Sequence, residues 1–466
     1  MASSNKFDAV VIGAGIGGYV SAIRLAQLEK QVALIEKDRL GGLCLNWGCI
    51  PTETLLATAD FLGKAKRSEE FGVHLGDVSV DFGEAMARKD AVVDRLVRGV
   101  QFLIKKNKIQ LIGGEGKVLS RNQIRVLKPD GSEETLETDT MIIATGSEEA
   151  RPSYAEIDEE KILTTRGALN LKRAPESLAV IGGDIMGIEF AVIFDALGAK
   201  VQILEASENL LPELDYDVGR TYQRILRKKG IEVHLKTEAK SVKVKPDGGV
   251  SIKAIAGGSQ LDLEAEKALI TDGRRPASKD LGLEKVGVKT KDGFILVDEH
   301  LRTNVPSIYA VGDITGGKMF AHVAIAEGIV VAENIAGLES TIDYATVPTC
   351  MYCQPEVASV GLSEAEAKEQ RYNVAVGKFP LLANGRALAL GESDGFAKVV
   401  CDGETGEILG IHLVAPHATD LIGEAALAMR MECTPEELGS LMHPHPTISE
   451  ALMEAARAVT KKAIQI

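Results

Sequence analysis

Twice along this chain of 466 residues, a short apolar run enters a cluster of glycines, continues as a helix-period stretch, and returns as a second apolar run ending on an acid. The first copy runs through residues 7–12, Gly13-Ala-Gly15-Ile-Gly-Gly18, residues 19–28 and residues 32–35, and closes on Glu36. The pattern predicts strand, tight turn, helix, strand. Glycines in such a turn let the backbone approach a diphosphate at the helix N-terminus, and the acid accepts ribose hydroxyls. The glycine pattern alone is weak, but inside a βαβ unit it points to a dinucleotide rather than to a merely structural turn. The second copy has its strands at residues 177–181 and 201–204, around Gly182-Gly183-Asp184-Ile185-Met186-Gly187, and ends on Glu205. The spacing from last glycine to acid is 18 residues in both copies, which marks an internal duplication. Two dinucleotide sites on one chain imply two redox cofactors exchanging electrons, the architecture of an enzyme more than of a scaffold.

The second copy is altered at one position. Asp184 stands where the fingerprint wants no side chain, adding bulk and a charge of the same sign as the diphosphate. A retained fold with weakened binding is the alternative to a working nicotinamide site made of Gly182, Gly183, Gly187 and Glu205. If the site binds, Glu205 selects NAD over NADP, because an acid accepts the 2′-hydroxyl and repels a 2′-phosphate.

Composition narrows the class. With 45% hydrophobic and 26% charged residues, the chain is an ordered globular protein of two to four domains. A net charge of −14 argues against nucleic acid and anionic membrane surfaces as partners. No apolar stretch is long enough to span a bilayer, and residues 1–6 carry no basic segment leading into an apolar one, so a cytoplasmic location is expected. Turn signals at Pro246-Asp-Gly-Gly249 and Gly257-Gly-Ser259 separate short strands over residues 232–254, and a similar set spans residues 111–143. From residue 345 onward no third glycine fingerprint occurs. Strands near residues 372–379, 396–401 and 408–412, then helices over 420–431 and 448–460, predict a third α+β domain.

Six cysteines are too few for a secreted disulfide scaffold, so close pairs point to catalysis or metal binding. Cys44 and Cys49 lie in Gly41-Gly-Leu-Cys44-Leu-Asn-Trp-Gly-Cys49-Ile-Pro51. Glycines on both sides permit the tight bend a disulfide five residues apart needs, and Pro51 suits the first turn of a following helix, where the backbone dipole stabilises a thiolate. The competing reading joins this pair with Cys350 and Cys353 in a four-thiolate zinc or iron–sulfur site.

The cysteine segment resembles the redox-active disulfide of the pyridine nucleotide-disulfide oxidoreductases, and the likeness extends over the whole chain. It is carried by the first fingerprint, Ala144-Thr145-Gly146, Gly273-Arg-Arg-Pro276, Tyr309-Ala-Val-Gly-Asp313, Ala321-His322 with Glu327-Gly328, Pro355-Glu-Val-Ala358 and His445-Pro-Thr-Ile-Ser-Glu450. Glutathione and mercuric reductases share this architecture. The tail favours the lipoamide-oxidising branch, and no cysteine pair of the mercuric type follows Cys433.

The resemblance implies a fold of two Rossmann-like dinucleotide-binding domains plus a C-terminal α+β dimerisation domain. The FAD-binding domain would be residues 1–147 and 274–343, the NAD-type domain 148–273 and the interface domain 344–466. It implies FAD held by Gly13, Gly15, Gly18, Glu36, Glu53, Gly116, Ala144, Thr145, Gly146, Asp313, Met319, Ala321 and His322. NAD would be held by Gly182, Gly183, Asp184, Gly187, Glu189, Glu205 and Gly273. Cys44 would exchange with a dihydrolipoyl thiol, Cys49 would pass electrons to FAD as a charge-transfer thiolate, and His445, oriented by Glu450, would take the substrate proton. In the family this histidine comes from the partner subunit, so a homodimer is implied, acting on free dihydrolipoamide or a lipoylated carrier. The same dithiol chemistry with another electron acceptor, and a non-catalytic FAD-bearing subunit, are the alternatives. His322 reads as a structural hydrogen-bonding residue, Cys350 and Cys353 as buried small hydrophobes, and His74, His234, His300, His412 and His417 have no supporting context. Two departures stand out: Glu53 occupies the place of a family lysine that pairs with the residue at Glu189, and Ile185 that of a tyrosine gating the nicotinamide pocket.

Overall fold

A computed structural model describes residues 5–465; positions 1–4, part of the segment expected to carry no leader, and 466 lie outside the described residues. The described residues form two compact units: residues 5–54, 86–150 and 273–342, and residues 55–85, 151–272 and 343–465.

The first unit is organised by the strand Lys6–Ile12, which pairs in parallel with Val32–Glu36 on one side and Glu133–Ile143 on the other. Ala9, Val10 and Val11 are fully buried, as a strand covered on both faces requires. Gln110–Gly113 and Ile308–Ala310 extend the parallel part, and the antiparallel strands Gln123–Leu127 and Glu115–Ser120 complete a seven-stranded sheet. The helices Ile16–Gln27 and Ala321–Ile335 pack closely because glycines face each other: a Cβ on Gly328 would stand 2.8 Å from the Gly17 carbonyl oxygen. Arg24 and Glu333 lock the pair at 2.7 Å. The helix Phe82–Lys106, 25 residues long, is the largest element the sequence reading missed.

In the second unit the duplicated fold reappears as a five-stranded parallel sheet ordered Glu232–His234, Lys200–Leu204, Ser177–Ile181, Lys267–Ile270 and Ile162–Leu163. A three-stranded antiparallel sheet, Thr237–Val244, Val250–Ala256 and Ser259–Ala265, lies in the same unit; its third strand went unread because its alternation is weak and largely solvent-facing. The C-terminal part is a five-stranded antiparallel sheet, Thr349–Met351, Glu356–Gly361, Ile408–Ala415, Phe396–Asp402 and Val374–Pro380. The helices Ala418–Arg430 and Glu450–Val459 contribute Ile422, Ala425, Leu452 and Ala455 to its core. Among the described residues no helix is long and apolar enough to cross a membrane.

Candidate active site

The two glycine turns repeat each other in atomic detail. Gly13 and Gly182 both adopt positive φ, 101° and 120°. A Cβ on Gly18 would stand 1.9 Å from the Gly13 carbonyl oxygen, and one on Gly187 2.0 Å from that of Gly182, so the last glycine of each turn is dictated by helix–strand packing. The acids match too. Glu36 takes the amides of Ala14 and Asp38, each at 2.8 Å; Glu205 takes those of Gly183 and Ser207 at 2.7 and 2.6 Å. Both carboxylates are thereby held against their own turns.

At the middle glycine the copies part. A Cβ on Gly15 would meet nothing nearer than the Gly42 Cα at 3.9 Å, and Gly15 caps its helix without a side chain. Asp184 caps the helix Ile185–Ala196 with its own carboxylate, which accepts from the Gly187 amide at 2.7 Å, while the neighbouring Thr271 hydroxyl donates to the Ile181 carbonyl at 3.1 Å. Burial pushes the Asp184 carboxyl up to about 6, outweighing the Gly187 amide and the polar influence of Thr271, and Glu213 and Glu205 add to the rise.

Cys44 sits in the short helix Gly42–Trp47, and Cys49 begins the helix Cys49–Lys66. They are joined in a disulfide, Cα to Cα 4.8 Å. Cys350 and Cys353 are in no disulfide, and the four-thiolate site falls because two of its four sulfurs are bonded to each other. Burial, then the carboxylates of Glu356 and Glu189, push the Cys350 thiol up to about 12, which keeps it protonated. Thr52, three residues into the Cys49 helix, and Thr145, after the strand Glu133–Ile143, bury hydroxyl oxygens that have no hydrogen-bond partner. The open space over Gly15, the pinned Glu36 and these orphaned hydroxyls are what a flavin dinucleotide would satisfy, and the first turn fits FAD. Asp313 accepts from Ser147 Oγ and lies 3.6 Å from Arg274 Nε. Gly116, Met319 and Ala321 belong to the same unit, and the ring of His322 stacks on Phe320. Glu53 is exposed, whereas Glu189 is buried in the second unit and accepts the Tyr352 amide at 2.9 Å.

His445 and Glu450 meet as a dyad, His445 Nδ1 donating to Glu450 Oε1 at 2.9 Å while the second carboxylate oxygen takes the Thr447 amide at 2.9 Å. Burial pushes the Glu450 carboxyl up, but the Thr447 amide and His445 outweigh it and leave it below the ordinary carboxylate range. An ionised Glu450 fixes a proton on Nδ1, which makes Nε2 the nitrogen placed to exchange a proton with a substrate. The His445 side chain is 76% exposed. Beside it His443, whose side chain is buried, reaches Glu424 at 2.8 Å, a pair that no spacing signal disclosed because its partners are 19 residues apart.

The family profile described as pyridine nucleotide-disulphide oxidoreductase matches residues 7–328, and that of its dimerisation domain matches residues 347–456. A dihydrolipoyl dehydrogenase of Bacillus subtilis is 42% identical over 476 residues, covering 99% of each chain. The mitochondrial dihydrolipoyl dehydrogenase 1 of Arabidopsis thaliana is 41% identical, covering 99% of this chain and 92% of the other. Among solved structures, LpdA from Mycobacterium tuberculosis has a TM-score of 0.89 at 28% identity, covering 96% of this chain and 99% of the other. The HOCl-induced flavoprotein disulfide reductase RclA from Escherichia coli has a TM-score of 0.85 at 28% identity, with the same coverage. The protein is thus an oxidoreductase that uses FAD and NAD(H), and its C-terminal part makes it a homodimer. Matched from its first strand to its last helix, with a disulfide at the turn between two helices and the nucleotide fold built twice, the chain belongs to the pyridine nucleotide-disulphide oxidoreductase family.

Proposed function

We propose that the protein oxidises dihydrolipoyl groups, free or on a lipoylated carrier protein, and delivers the electron pair to NAD+. The observation that carries this reading is the Cys44–Cys49 disulfide at the N-terminus of an 18-residue helix, where the backbone dipole stabilises the thiolate released from Cys49. One substrate sulfur, its proton taken by His445 Nε2, attacks Cys44 Sγ; the Cys44–Cys49 bond breaks and Cys49 leaves as thiolate. The second substrate thiol then attacks the substrate sulfur bound to Cys44, which closes the lipoyl ring disulfide and frees Cys44 as a thiol. The substrate loses two electrons and two protons, and the protein disulfide is reduced. When bound, FAD supplies the two-electron acceptor through which the cysteine pair is reoxidised, with NAD+ as final acceptor.

In this reading Gly13, Gly15, Gly18 and Glu36 hold the adenosine diphosphate half of FAD, Gly116 lies by the adenine, and Asp313 serves the ribityl chain. Ala144, Thr145, Gly146, Met319, Ala321 and His322 line the remainder. The second turn, Gly182 to Gly187 with Glu189, Glu205 and Gly273, receives NAD. Residues 1–147 and 274–343 form the FAD-binding domain, 148–273 the NAD-type domain and 344–466 the interface domain. Each site combines the disulfide of one protomer with His445 of the partner subunit, and the enzyme works in the cytoplasm.

Anaerobic titration of the yellow holoenzyme with dihydrolipoamide, followed by NAD+, tests the reading. The flavin spectrum is expected to bleach with dithiol in the wild type, to recover on NAD+, and not to respond to dithiol in Cys44→Ser. A wild-type holoenzyme that dithiol does not reduce overturns the proposal; one that dithiol reduces but NAD+ does not reoxidise sends the electrons to another acceptor.

A further inference from the structure

Both nucleotide turns end in a helix of 12 residues, yet they present different N-termini. The first has a bare glycine cap, so the amides of its opening turn have no side-chain partner. In the second, a carboxylate already does what a diphosphate does at such a turn: Asp184 Oδ1 accepts the Gly187 amide at 2.7 Å. The Thr271 hydroxyl, in the loop after the strand Lys267–Ile270, donates to the Ile181 carbonyl at 3.1 Å and lies close enough to Asp184 to favour its ionised form. The charged groups facing Asp184 are Glu205, at the end of the strand Lys200–Leu204, and Glu213, in the loop beyond it. Both are acids. A diphosphate arriving here would compete for amides already in use and would bring further negative charge to a site that holds three carboxyls.

We propose that Asp184 is a built-in occupant of the diphosphate position of the second turn, so that binding of NAD(H) is coupled to uptake of one proton by this carboxyl. The inference rests on the second turn receiving NAD(H), as proposed above. Protonation removes the like charge and weakens the hold on the Gly187 amide, since a neutral carboxyl accepts less strongly than a carboxylate. The side chain then vacates the turn or donates a hydrogen bond to a phosphate oxygen. Asp184 is therefore a residue that sets affinity and its pH dependence, while Glu205 keeps the choice between the dinucleotides. Because its carboxyl is raised only to about 6, it is mostly ionised at neutral pH, and the coupling operates in the range from about 6 upward.

The test uses oxidised holoenzyme and ADP-ribose, which carries the diphosphate but cannot exchange electrons. Its Kd is measured calorimetrically between pH 6 and 8 in buffers of differing ionisation enthalpy, for the wild type, Asp184→Asn and Asp184→Gly. The Asn variant keeps an acceptor at the helix cap, and the Gly variant reproduces the first turn; reduction of the flavin by dithiol reports that each is intact. For the wild type, affinity is expected to fall by up to about tenfold per pH unit above pH 6, with close to one proton taken up. In both variants the pH dependence and the proton uptake disappear, and at pH 8 binding is about tenfold tighter or more. Equal, pH-independent affinity in all three proteins overturns the coupling while leaving the nicotinamide site in place. Absence of ADP-ribose and NAD+ binding from all three, including Asp184→Gly, overturns both the coupling and the assignment of this turn to NAD.

Discussion

Four residues beyond Cys49, one turn along the helix that Cys49 begins, Glu53 places a carboxylate. An anion on that face disfavours both a thiolate at Cys49 and an anionic reduced flavin, by the Coulomb sign alone. Glu53→Lys is therefore expected to raise the two-electron potential of the holoenzyme by on the order of 30 mV, equivalent to about 1.4 kcal/mol, and to strengthen the long-wavelength thiolate–flavin band. Anaerobic spectroelectrochemistry reads both quantities, and an unchanged potential with an unchanged spectrum rules the effect out. Asp184 belongs at the same scale. Its carboxyl is raised above the unfolded value, so the folded state binds more protons between about 4 and 6 and loses stability as pH rises through that window. Asp184→Asn should thus be more stable than wild type at pH 8 and lose that advantage at pH 4, in urea titrations at the two pH values. The residue types at these positions are read directly from spacing, but that Asp184 turns back to cap its own helix is a matter of one rotamer.

Among the elements, the helix Tyr216–Lys229 is tied to the C-terminal antiparallel sheet by a buried charge cluster that no motif announced. Lys398, 2% exposed in the middle of Phe396–Asp402, bonds Asp215 at 2.9 and 3.0 Å, Asp217 at 3.1 Å and Glu364 at 2.8 Å. Asp215, itself 1% exposed, caps the helix through the Asp217 amide and also accepts from the Glu364 amide. Burial penalises the Asp215 carboxyl, but the electrostatic influence of His412, the hydrogen bonds and charge of Lys398 and the Glu364 amide hold it below the ordinary range. Removing the lysine leaves a buried carboxylate without its cation, which costs about 3–5 kcal/mol, so Lys398→Ala should lower the urea midpoint strongly. The double change Lys398→Met with Asp215→Asn should recover much of that loss, because what is expensive is the unpaired charge rather than the missing pair. Failure of the double variant to exceed the single one would assign the cost to packing instead. The strand itself was legible, as a run of apolar residues between turn signals. The lysine within it was not, because a strand pattern does not show which acids from other elements converge on one position.

At the scale of the molecule, the dyad and the disulfide lie in different compact units of the chain, Cys44 and Cys49 in the first and His445 and Glu450 in the second. Their assignment to one active site across a homodimer has a clean genetic test. A purified heterodimer of one Cys44→Ser chain and one His445→Ala chain keeps one intact disulfide and one intact histidine. If each site draws on both protomers, one of its two sites is complete and the heterodimer recovers half the wild-type turnover with dihydrolipoamide, while either mutant homodimer is dead. If the histidine served its own chain's disulfide, every site would be defective and the heterodimer as inactive as its parents.

What the sequence determined by itself is what depends on local order: two glycine turns with an acid 18 residues on, a cysteine pair beside a helix start, and a histidine five residues before its glutamate. Each such signal lies within a few turns of chain, where backbone geometry translates spacing into position. The tertiary structure decided everything that rests on residues distant in the chain. It brought Glu424 to His443, Tyr352 to Glu189 and three acids to Lys398, and left the hydroxyls of Thr52 and Thr145 buried without partners. It also put a carboxylate on the amide that the second turn would otherwise offer to a diphosphate. Spacing cannot encode those outcomes, because burial and charge at a point are summed over every element that folds against it.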